Sequence, residues 1–292
     1  TLALAEKAEA WGYHRFWVSE HHSHPSIIGT APEVLMAAIA ARTQRIRLGS
    51  AGVMLPHYAA LKVAEQFRVL DALAPGRIDL GVGRAPGSDG RTAQLLNPDR
   101  HASERFPQQV MELQAWIQGQ NLPPGHPGHN VYAYPQSETS PDIWMLGSSD
   151  YGAQLAAHLG LPYAFAGHFA PEQMEMAFKI YREHFEPSKY LDKPYIIACV
   201  NGVAAETSEE AHKISTTLFQ AFINIVRNDR KPFAPPVDDM DEIWSPMEKS
   251  MVLQKLRYTF IGDQAEVQEK LKDLVNNMFL ARSFFTQNEP SV

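Results

Sequence analysis

IRLGSAGVML at residues 46–55 and IDLGVG at residues 78–83 are short apolar, strand-like runs, and a helical pattern at residues 61–73 lies between them. Apolar residues in the middle run recur at the three- and four-residue spacing of a helix, and Pro75-Gly76 provides a turn before the second strand. This order predicts two parallel strands joined by a right-handed helical crossover.

The same alternation extends in both directions from this unit. Further strands are predicted at residues 15–20, 142–147, 163–167 and 195–205, and further helices at 1–10, 32–43, 103–118, 151–160, 171–185, 207–227, 248–256 and 263–274. Alternating strands and helices are typical of an open doubly wound sheet or of a closed barrel. Six strands in strict alternation favour a TIM (β/α)8 barrel, which we expect to form a single domain over residues 1–292.

Four segments depart from this rhythm. Residues 119–141 are spotted with proline and glycine, which predicts an insertion with a small hairpin around residues 131–134. Residues 231–256 carry no assignable pattern, and we expect them to cover the mouth of the substrate site. The chain opens within a helix, so a first strand is expected to be absent, and residues 279–292 fit a last strand poorly.

Composition excludes several classes of partner. The 292 residues include 26 basic and 33 acidic side chains, a formal net charge of −7, which is not the cationic surplus of a protein that binds nucleic acid or anionic membranes. No apolar window is long enough to span a bilayer, and no export signal opens the chain. Cys199 is the single cysteine, which excludes an intrachain disulfide. We therefore expect a soluble, cytoplasmic protein.

Two polar or glycine-rich segments follow the first predicted strands, where barrels place their active sites. Glu20-His-His-Ser-His24 offers three imidazoles, which can transfer a proton near neutral pH or bind a metal. Ser50-Ala-Gly-Val-Met54 offers small residues, against which a flat ligand can lie close to the backbone. Strand capping and an ordinary glycine bulge are the structural alternatives for the two segments.

Two more segments follow later strands. In Gly81-Val-Gly-Arg-Ala-Pro-Gly87 an arginine leaves the strand, where it could clamp a phosphate or pair with Asp89 or Asp99. Leu146-Gly-Ser-Ser-Asp-Tyr-Gly152 runs from a strand into a helix, and free amides at a helix start with serine hydroxyls suit a monoester phosphate. Simple serine capping explains that segment equally well.

Taken together, these motifs resemble the bacterial luciferase-like flavin monooxygenase family. The resemblance covers residues 1–205 and returns near residues 259–262; it is carried by the motifs FWVSEHH, LGSAGVMLP, EQFRVLDALAPGR, LGVGR and WMLGSS. It implies a TIM-type barrel that uses reduced FMN and O2 to oxidise a small organic substrate, which we expect to be apolar and aldehyde-like or related. It also implies a separate flavin reductase as functional partner, and a homodimer.

The resemblance also implies roles for individual residues. His22 would lie near the flavin and the substrate as the catalytic acid and base, and the Ala51-Gly52 bond aligns with a non-proline cis peptide beneath the flavin ring. The remaining residues implied to bind the cofactor are Met54, Arg84, Gly147, Ser148, Ser149 and Tyr151. Gly83 stands where light-emitting members carry a reactive cysteine, so bioluminescence is not implied.

Three other functions remain open at this point. Relatives of the same fold use the deazaflavin F420 for hydride transfer, and the turn at residues 147–149 would hold either phosphate. His22 and His24 could bind zinc in a metal-dependent hydrolase, with His57 and His168 as further ligands. A flavin-storing protein without catalysis is the third alternative.

Overall fold

The computed structural model describes residues 1–280. The strands in this part of the chain are β1 (Arg15–Val18), β2 (Arg47–Ser50), β3 (Val53–Met54), β4 (Ile78–Gly83), β5 (Asp142–Gly147), β6 (Tyr163–Phe165), β7 (Ile196–Ala198), β8 (Asn201–Ala204) and β9 (Thr259–Gly262). The helices are α1 (Leu2–Ala10), α2 (Pro32–Ala40), α3 (Ala60–Leu73), α4 (Gly90–Leu96), α5 (Phe106–Ile117), α6 (Asp150–His158), α7 (Pro171–Glu183), α8 (Ser208–Val226), α9 (Pro246–Lys255) and α10 (Gln264–Val275). Short 3-10 turns lie at Leu55–His57 and Ala102–Arg105, and a π-helical turn at Asn276–Leu280.

The chain forms two compact units. The first comprises Thr1–Gly147, Tyr151–Ala164 and Ile180–Ile196; the second comprises Ser148–Asp150, Phe165–Lys179 and, within the described chain, residues 197–280. The main sheet has the strand order β1-β2-β4-β5-β6-β7, with β3 also paired to β4. The order follows the chain without the reversal that marks a doubly wound sheet, and β1, β2, β4 and β5 pair in parallel. The predicted fold class, a parallel α/β fold of the TIM-barrel type, is confirmed.

The core of the first unit is built around β4. All six residues of β4 are buried, as expected for a central parallel strand that is covered on both faces. Helix α3 buries Val63, Phe67 and Leu70, which recur at helical spacing and give the helix one apolar face. These two elements are the ones that the opening sequence pattern predicts.

A buried carboxylate lies inside β4. Asp79 is fully buried, and its oxygens accept hydrogen bonds from Arg15 Nε at 3.1 Å, Trp17 Nε1 at 2.9 Å and Arg47 Nη2 at 2.6 Å. The donors come from β1 and β2, so Asp79 joins the first three strands of the sheet order near the ends at which these strands begin. A charge in this position is tolerated because it is paired and hydrogen-bonded.

A second carboxylate, Glu9 at the end of α1, fixes the approach to β2. Its Oε1 accepts from the backbone N–H groups of Gln44, Arg45 and Ile46 at 2.9, 2.6 and 2.9 Å. These hydrogen bonds, led by those of Ile46 and Arg45, lower the pKa of Glu9 to about 2. The ionised form is therefore favoured by folding.

We expect Glu9 to make unfolding depend on pH in acid. A lowered carboxyl pKa contributes stability above the ordinary pKa of 4.5, and this contribution is lost as the pH falls towards 2. Glu9→Gln should lower the free energy of unfolding at pH 6 and lose less of it on acidification than the wild type. Urea unfolding at pH 6 and pH 3 measures both. Glu6→Gln is the control: Glu6 lies on the same helix as Glu9, and its exposed ion pair with Arg42, which follows α2, should contribute much less.

The second unit contains a parallel pair of strands, β8 and β9, with Val203 opposite Ile261. Its apolar cluster joins α8 to the segment that we expected at the substrate mouth. The buried members are Phe222, Ile223, Met240, Trp244, Val252 and Leu256. Trp244 and Met240 therefore pack against α8, whereas Phe233, Met247 and Met251 of the same segment are exposed. Helix α9 begins with a capping box between Ser245 and Glu248.

Some predicted boundaries are wrong. Residues 131–134 form no hairpin in the described chain, because the carbonyl of Val131 accepts from Trp116 Nε1 instead of from a partner strand. The strand predicted at 46–55 is divided into β2 and β3, and that at 195–205 into β7 and β8. Helix α4 and strand β9 were not predicted as such. The poor last strand at 279–292 lies almost wholly outside the described residues.

Candidate active site

The carboxyl ends of neighbouring strands in the first unit bring together several of the predicted site residues. Because β1, β2, β4 and β5 are parallel and adjacent, the segments after each of them emerge at the same edge of the sheet. His22 follows β1, Ala51 and Gly52 separate β2 from β3, and Arg84 follows β4. This edge is the candidate site.

A buried glutamate organises the histidine segment. Glu20 is fully buried; its Oε1 lies 2.8 Å from His22 Nε2 and accepts from the hydroxyl of Tyr58 at 2.7 Å. Its Oε2 accepts from the backbone N–H of Met54 at 2.9 Å. One carboxylate thus ties the end of β1 to β3 and to the turn that follows it, and it brings His22 and Met54 into one network.

Tyr58 is a permanent hydrogen-bond donor in this network. Burial, followed by its hydrogen bond to Glu20, raises the pKa of Tyr58 far above the ordinary value of 10. The phenol therefore stays protonated at physiological pH and donates to Glu20. It cannot serve as a base in this position.

Two carbonyls of the loop after β4 fix the histidine rings. Gly87 O accepts from the backbone N–H of His22 at 3.1 Å and lies 3.3 Å from His21 Nδ1, while Pro86 O lies 2.9 Å from His57 Nε2. Gly87 has φ of +60°, and a Cβ there would come within 3.0 Å of Glu20 O. Glycine is therefore required at the point where this loop meets the histidines.

Close backbone packing makes a floor beside the histidines. The Ala51-Gly52 peptide is cis, as the resemblance implies. A Cβ on Gly52 would lie 2.8 Å from Gly81 O, and one on Gly81 would overlap Ser50 O, so neither position admits a side chain. A Cβ on Gly83 would meet only Met54 Sδ, at 3.8 Å. Gly83 is buried within β4, but the place of its missing side chain is not filled by another residue, which is the condition for a planar group to approach the backbone there.

A cation lies at the other end of the site. The guanidinium carbon of Arg84 stands 3.7 Å from the centre of the Tyr151 ring, in the first turn of α6. A cation stacked on an aromatic face in this way has a fixed position. Gly147 and Gly152 flank the turn, and a Cβ on Gly147 would lie 3.4 Å from Gly152 Cα. Ser148 and Ser149 follow Gly147 along the chain and belong to the second compact unit.

A hollow of about 300 Å³ adjoins Arg84. Its walls come from the turn after β3, the loop after β4, α4 and the 3-10 turn at Ala102–Arg105, and they include His57, Arg84, Asn97 and Arg100. His57 also stacks edge to face with His22, with ring centres 6.1 Å apart. The hollow and the histidine cluster therefore share one side chain.

The sequence pattern did not assign roles to Glu20, Tyr58 or Gly87. Glu20 stands within the quoted histidine segment, but its function depends on Tyr58, 38 residues further along the chain. The residues that were considered as zinc ligands are engaged differently, since Nε2 of His22 bonds Glu20 and Nδ1 of His24 accepts from Ser26 N at 3.2 Å. Within residues 1–280, no three His, Cys, Asp or Glu side chains are grouped as a metal site would require.

Comparison with known proteins places the chain in a family. The family model of luciferase-like monooxygenases matches residues 1–280. A luciferase-like monooxygenase of Escherichia coli (strain K12) is 44% identical over 278 residues, which cover 94% of this chain and 81% of that protein. The N-acetyl-S-alkylcysteine monooxygenase of Bacillus subtilis (strain 168) is 42% identical over 220 residues, or 73% of this chain and 64% of that protein. The chain belongs to the luciferase-like monooxygenase family.

Solved structures agree on the fold. The crystal structure of apo-MsnO8 superposes with a TM-score of 0.81 and is 33% identical, covering 95% of this chain and 82% of that one. The oxygenating constituent of 3,6-diketocamphane monooxygenase from Pseudomonas putida, in complex with FMN, has a TM-score of 0.65 at 16% identity, covering 95% and 82%. An F420-dependent secondary alcohol dehydrogenase has a TM-score of 0.62 at 15% identity, covering 93% and 85%. Within residues 1–280 there is no helix long and apolar enough to cross a membrane.

Proposed function

We propose that this chain is an FMN-dependent monooxygenase that uses reduced FMN and O2 to oxidise a small apolar organic substrate. The observation that carries this proposal is the strand-end floor around Gly52 and Gly83, which is bordered by the histidine that Glu20 holds. Flat, side-chain-free backbone beside an acid–base residue suits a planar redox cofactor better than a hydrolytic centre. Family membership supports the same assignment.

The residues present fit the cofactor at both ends. Gly83, which has no side chain, and the peptide between Ala51 and Gly52 would lie against the ring system, with Met54 at its edge. The guanidinium of Arg84, held over Tyr151, would face the phosphate near Gly147. Ser148 and Ser149, which the resemblance implies as residues that bind the cofactor, stay predictions.

The bound flavin would supply the activation of O2, and the protein would supply positioning and control of protons. His22 would hold or release a proton beside the ring, a role that its 11% side-chain exposure and its hydrogen bond with Glu20 support. The burial of Met54 and Val53 keeps water from the floor on that side. Arg84 would neutralise charge at the phosphate and fix the register of the ring.

Titration of the flavin-free protein with reduced FMN and with reduced F420 tests the assignment. We expect tight binding of reduced FMN, and O2-dependent turnover when a generic flavin reductase is added with a panel of aldehydes and an N-acetyl-S-alkylcysteine. Preference for F420, with hydride transfer that needs no oxygen, would reassign the chain within its fold. Flavin binding without turnover of any substrate would favour storage, and stoichiometric zinc in elemental analysis would favour a hydrolase.

Arg84 provides a sharper test of the cofactor's orientation. Arg84→Ala should weaken FMN binding roughly 10- to 100-fold, because a charge-assisted contact to phosphate contributes about 1.5–3 kcal/mol. Riboflavin, which lacks the phosphate, should bind wild type and variant equally. Arg100→Ala, which removes another exposed arginine of the same hollow, is the matched control and should leave FMN affinity unchanged. Equal losses for FMN and riboflavin would contradict a phosphate contact.

We also propose that the protein acts as a cytoplasmic homodimer, supplied with reduced flavin by a separate reductase. Helices α1, α2 and α3 expose apolar side chains that suit burial against a second copy; these are Leu4, Val34, Val69 and Leu73. Light scattering coupled to size exclusion measures the mass in solution. Charged substitutions at Val34 and Leu73 should yield monomers.

A further inference from the structure

The Glu20 carboxylate receives three hydrogen-bonding groups and has a side-chain exposure of 1%. The backbone N–H of Met54 can only donate, and Tyr58 stays protonated and donates as well. An ionised carboxylate is an acceptor at both oxygens. The third group, the imidazole of His22, therefore meets an acceptor at its Nε2.

A neutral imidazole carries one proton, and the partner of one nitrogen decides which nitrogen holds it. His22 Nε2 lies 2.8 Å from Glu20 Oε1, which is a normal donor–acceptor distance. Within residues 1–280, Nδ1 of His22 has no hydrogen-bond partner. The proton of the neutral ring thus belongs on Nε2, and the lone pair is on Nδ1.

The neighbouring ring is oriented by the same principle. His57 Nε2 lies 2.9 Å from Pro86 O, a carbonyl that can only accept, so neutral His57 also carries its proton on Nε2. The two rings stand edge to face, 84° apart. Glu20 and His57 therefore face His22 from the elements around it, and Tyr58 acts on His22 through its hydrogen bond to Glu20.

We propose that Glu20 is a positioning residue, which holds the proton of neutral His22 on Nε2 and so makes Nδ1 the atom that takes up and returns a proton in the reaction. The proton transfer at Nδ1 rests on the proposed function, whereas the position of the proton on neutral His22 does not. In the forward step the Nδ1 lone pair forms an N–H bond as the donor's bond to hydrogen breaks, and the donor keeps the electron pair. The imidazolium that results is stabilised by the ionised Glu20 until Nδ1 returns the proton.

The test uses the flavin-free protein, labelled with 15N-histidine. Long-range 1H–15N spectra distinguish a protonated ring nitrogen from an unprotonated one, and comparison with His22→Gln assigns the His22 signals among the 12 histidines. We expect the wild type to show neutral His22 with its proton on Nε2. Its proton on Nδ1 would overturn the proposal.

Glu20→Gln removes the charge and keeps the shape. An amide can donate as well as accept, so the ring proton of neutral His22 should no longer be held on Nε2 alone, and the 1H–15N spectra should show both tautomers. Tyr58→Phe, which removes a donor but keeps the carboxylate, should retain the Nε2 proton. This variant also tests the proposal if Glu20→Gln fails to fold, since a proton moved to Nδ1 there would contradict it. A folded Glu20→Gln protein whose His22 keeps its proton wholly on Nε2 would also overturn it.

Glu104→Gln is the matched control for Glu20→Gln. It removes the carboxylate that hydrogen-bonds to the exposed His101. That hydrogen bond raises the pKa of His101. Only the His101 signals should respond. All these readouts are independent of flavin, so a failure of the tautomer proposal is separate from a failure of FMN to bind or turn over.

Discussion

Replacing His22 by alanine is expected to lower turnover about 10²- to 10⁴-fold, the contribution that a positioned proton-transfer group typically makes. Binding of reduced FMN should be nearly unchanged, because the floor at Gly52 and the cation at Arg84 do not depend on the imidazole. Reductase-coupled turnover and a flavin titration measure the two quantities separately.

His24→Ala is the control for this substitution. It removes an imidazole from the same segment, one whose Nδ1 accepts only from Ser26 N. We expect it to retain most of the activity. A His22→Ala enzyme with the wild-type rate would remove His22 from the mechanism, and an equal loss in both variants would indicate a collapsed loop instead of a lost acid–base group.

The largest expected effect on stability lies at Asp79. Asp79→Ala should lower the free energy of unfolding by about 3 kcal/mol, at the lower end of the 3–5 kcal/mol typical of a broken buried ion pair. The lower end applies because the partner side chains, Arg15 and Arg47, retain 20% and 19% exposure. The substitution also leaves the indole N–H of Trp17 without its hydrogen-bond acceptor.

Urea unfolding followed by circular dichroism measures this loss. Asp142→Ala is the matched control, because its carboxylate also pairs with Arg47 but is 58% exposed. An exposed pair contributes about 1 kcal/mol or less. If the two variants lost equal stability, the burial of Asp79 would not be the source of its effect.

Much of the first unit could be predicted from local patterns. Strand β4 and helix α3 follow from apolar spacing and from the turn between them, which are local properties of the chain. Helix α4 was missed because none of its residues is buried, so it has no apolar face to detect, and it is capped by Asp89 instead. Strand β9 was missed because its pairing partner β8 lies more than 50 residues earlier.

In the candidate site, too, local motifs predict some residues, and only tertiary contacts explain the others. His22, Arg84 and Gly52 are predicted as site residues because they stand in motifs that can be recognised along the sequence. The role of Glu20 required knowing that Tyr58 and Met54 converge on it, which depends on tertiary structure. Asp79 was read as part of an apolar strand, and only its arginine partners on other strands explain the charge there.

The glycines at the strand ends differ in whether they tolerate substitution. At Gly52 and Gly81 the neighbouring backbone leaves no volume for a methyl group, so these positions do not tolerate a larger residue. At Gly83 the nearest atom would be a thioether sulfur 3.8 Å away, so alanine, serine or cysteine can be introduced without displacing the main chain. Position 83 is therefore the place to diversify when the selectivity or the chemistry of this enzyme is to be altered.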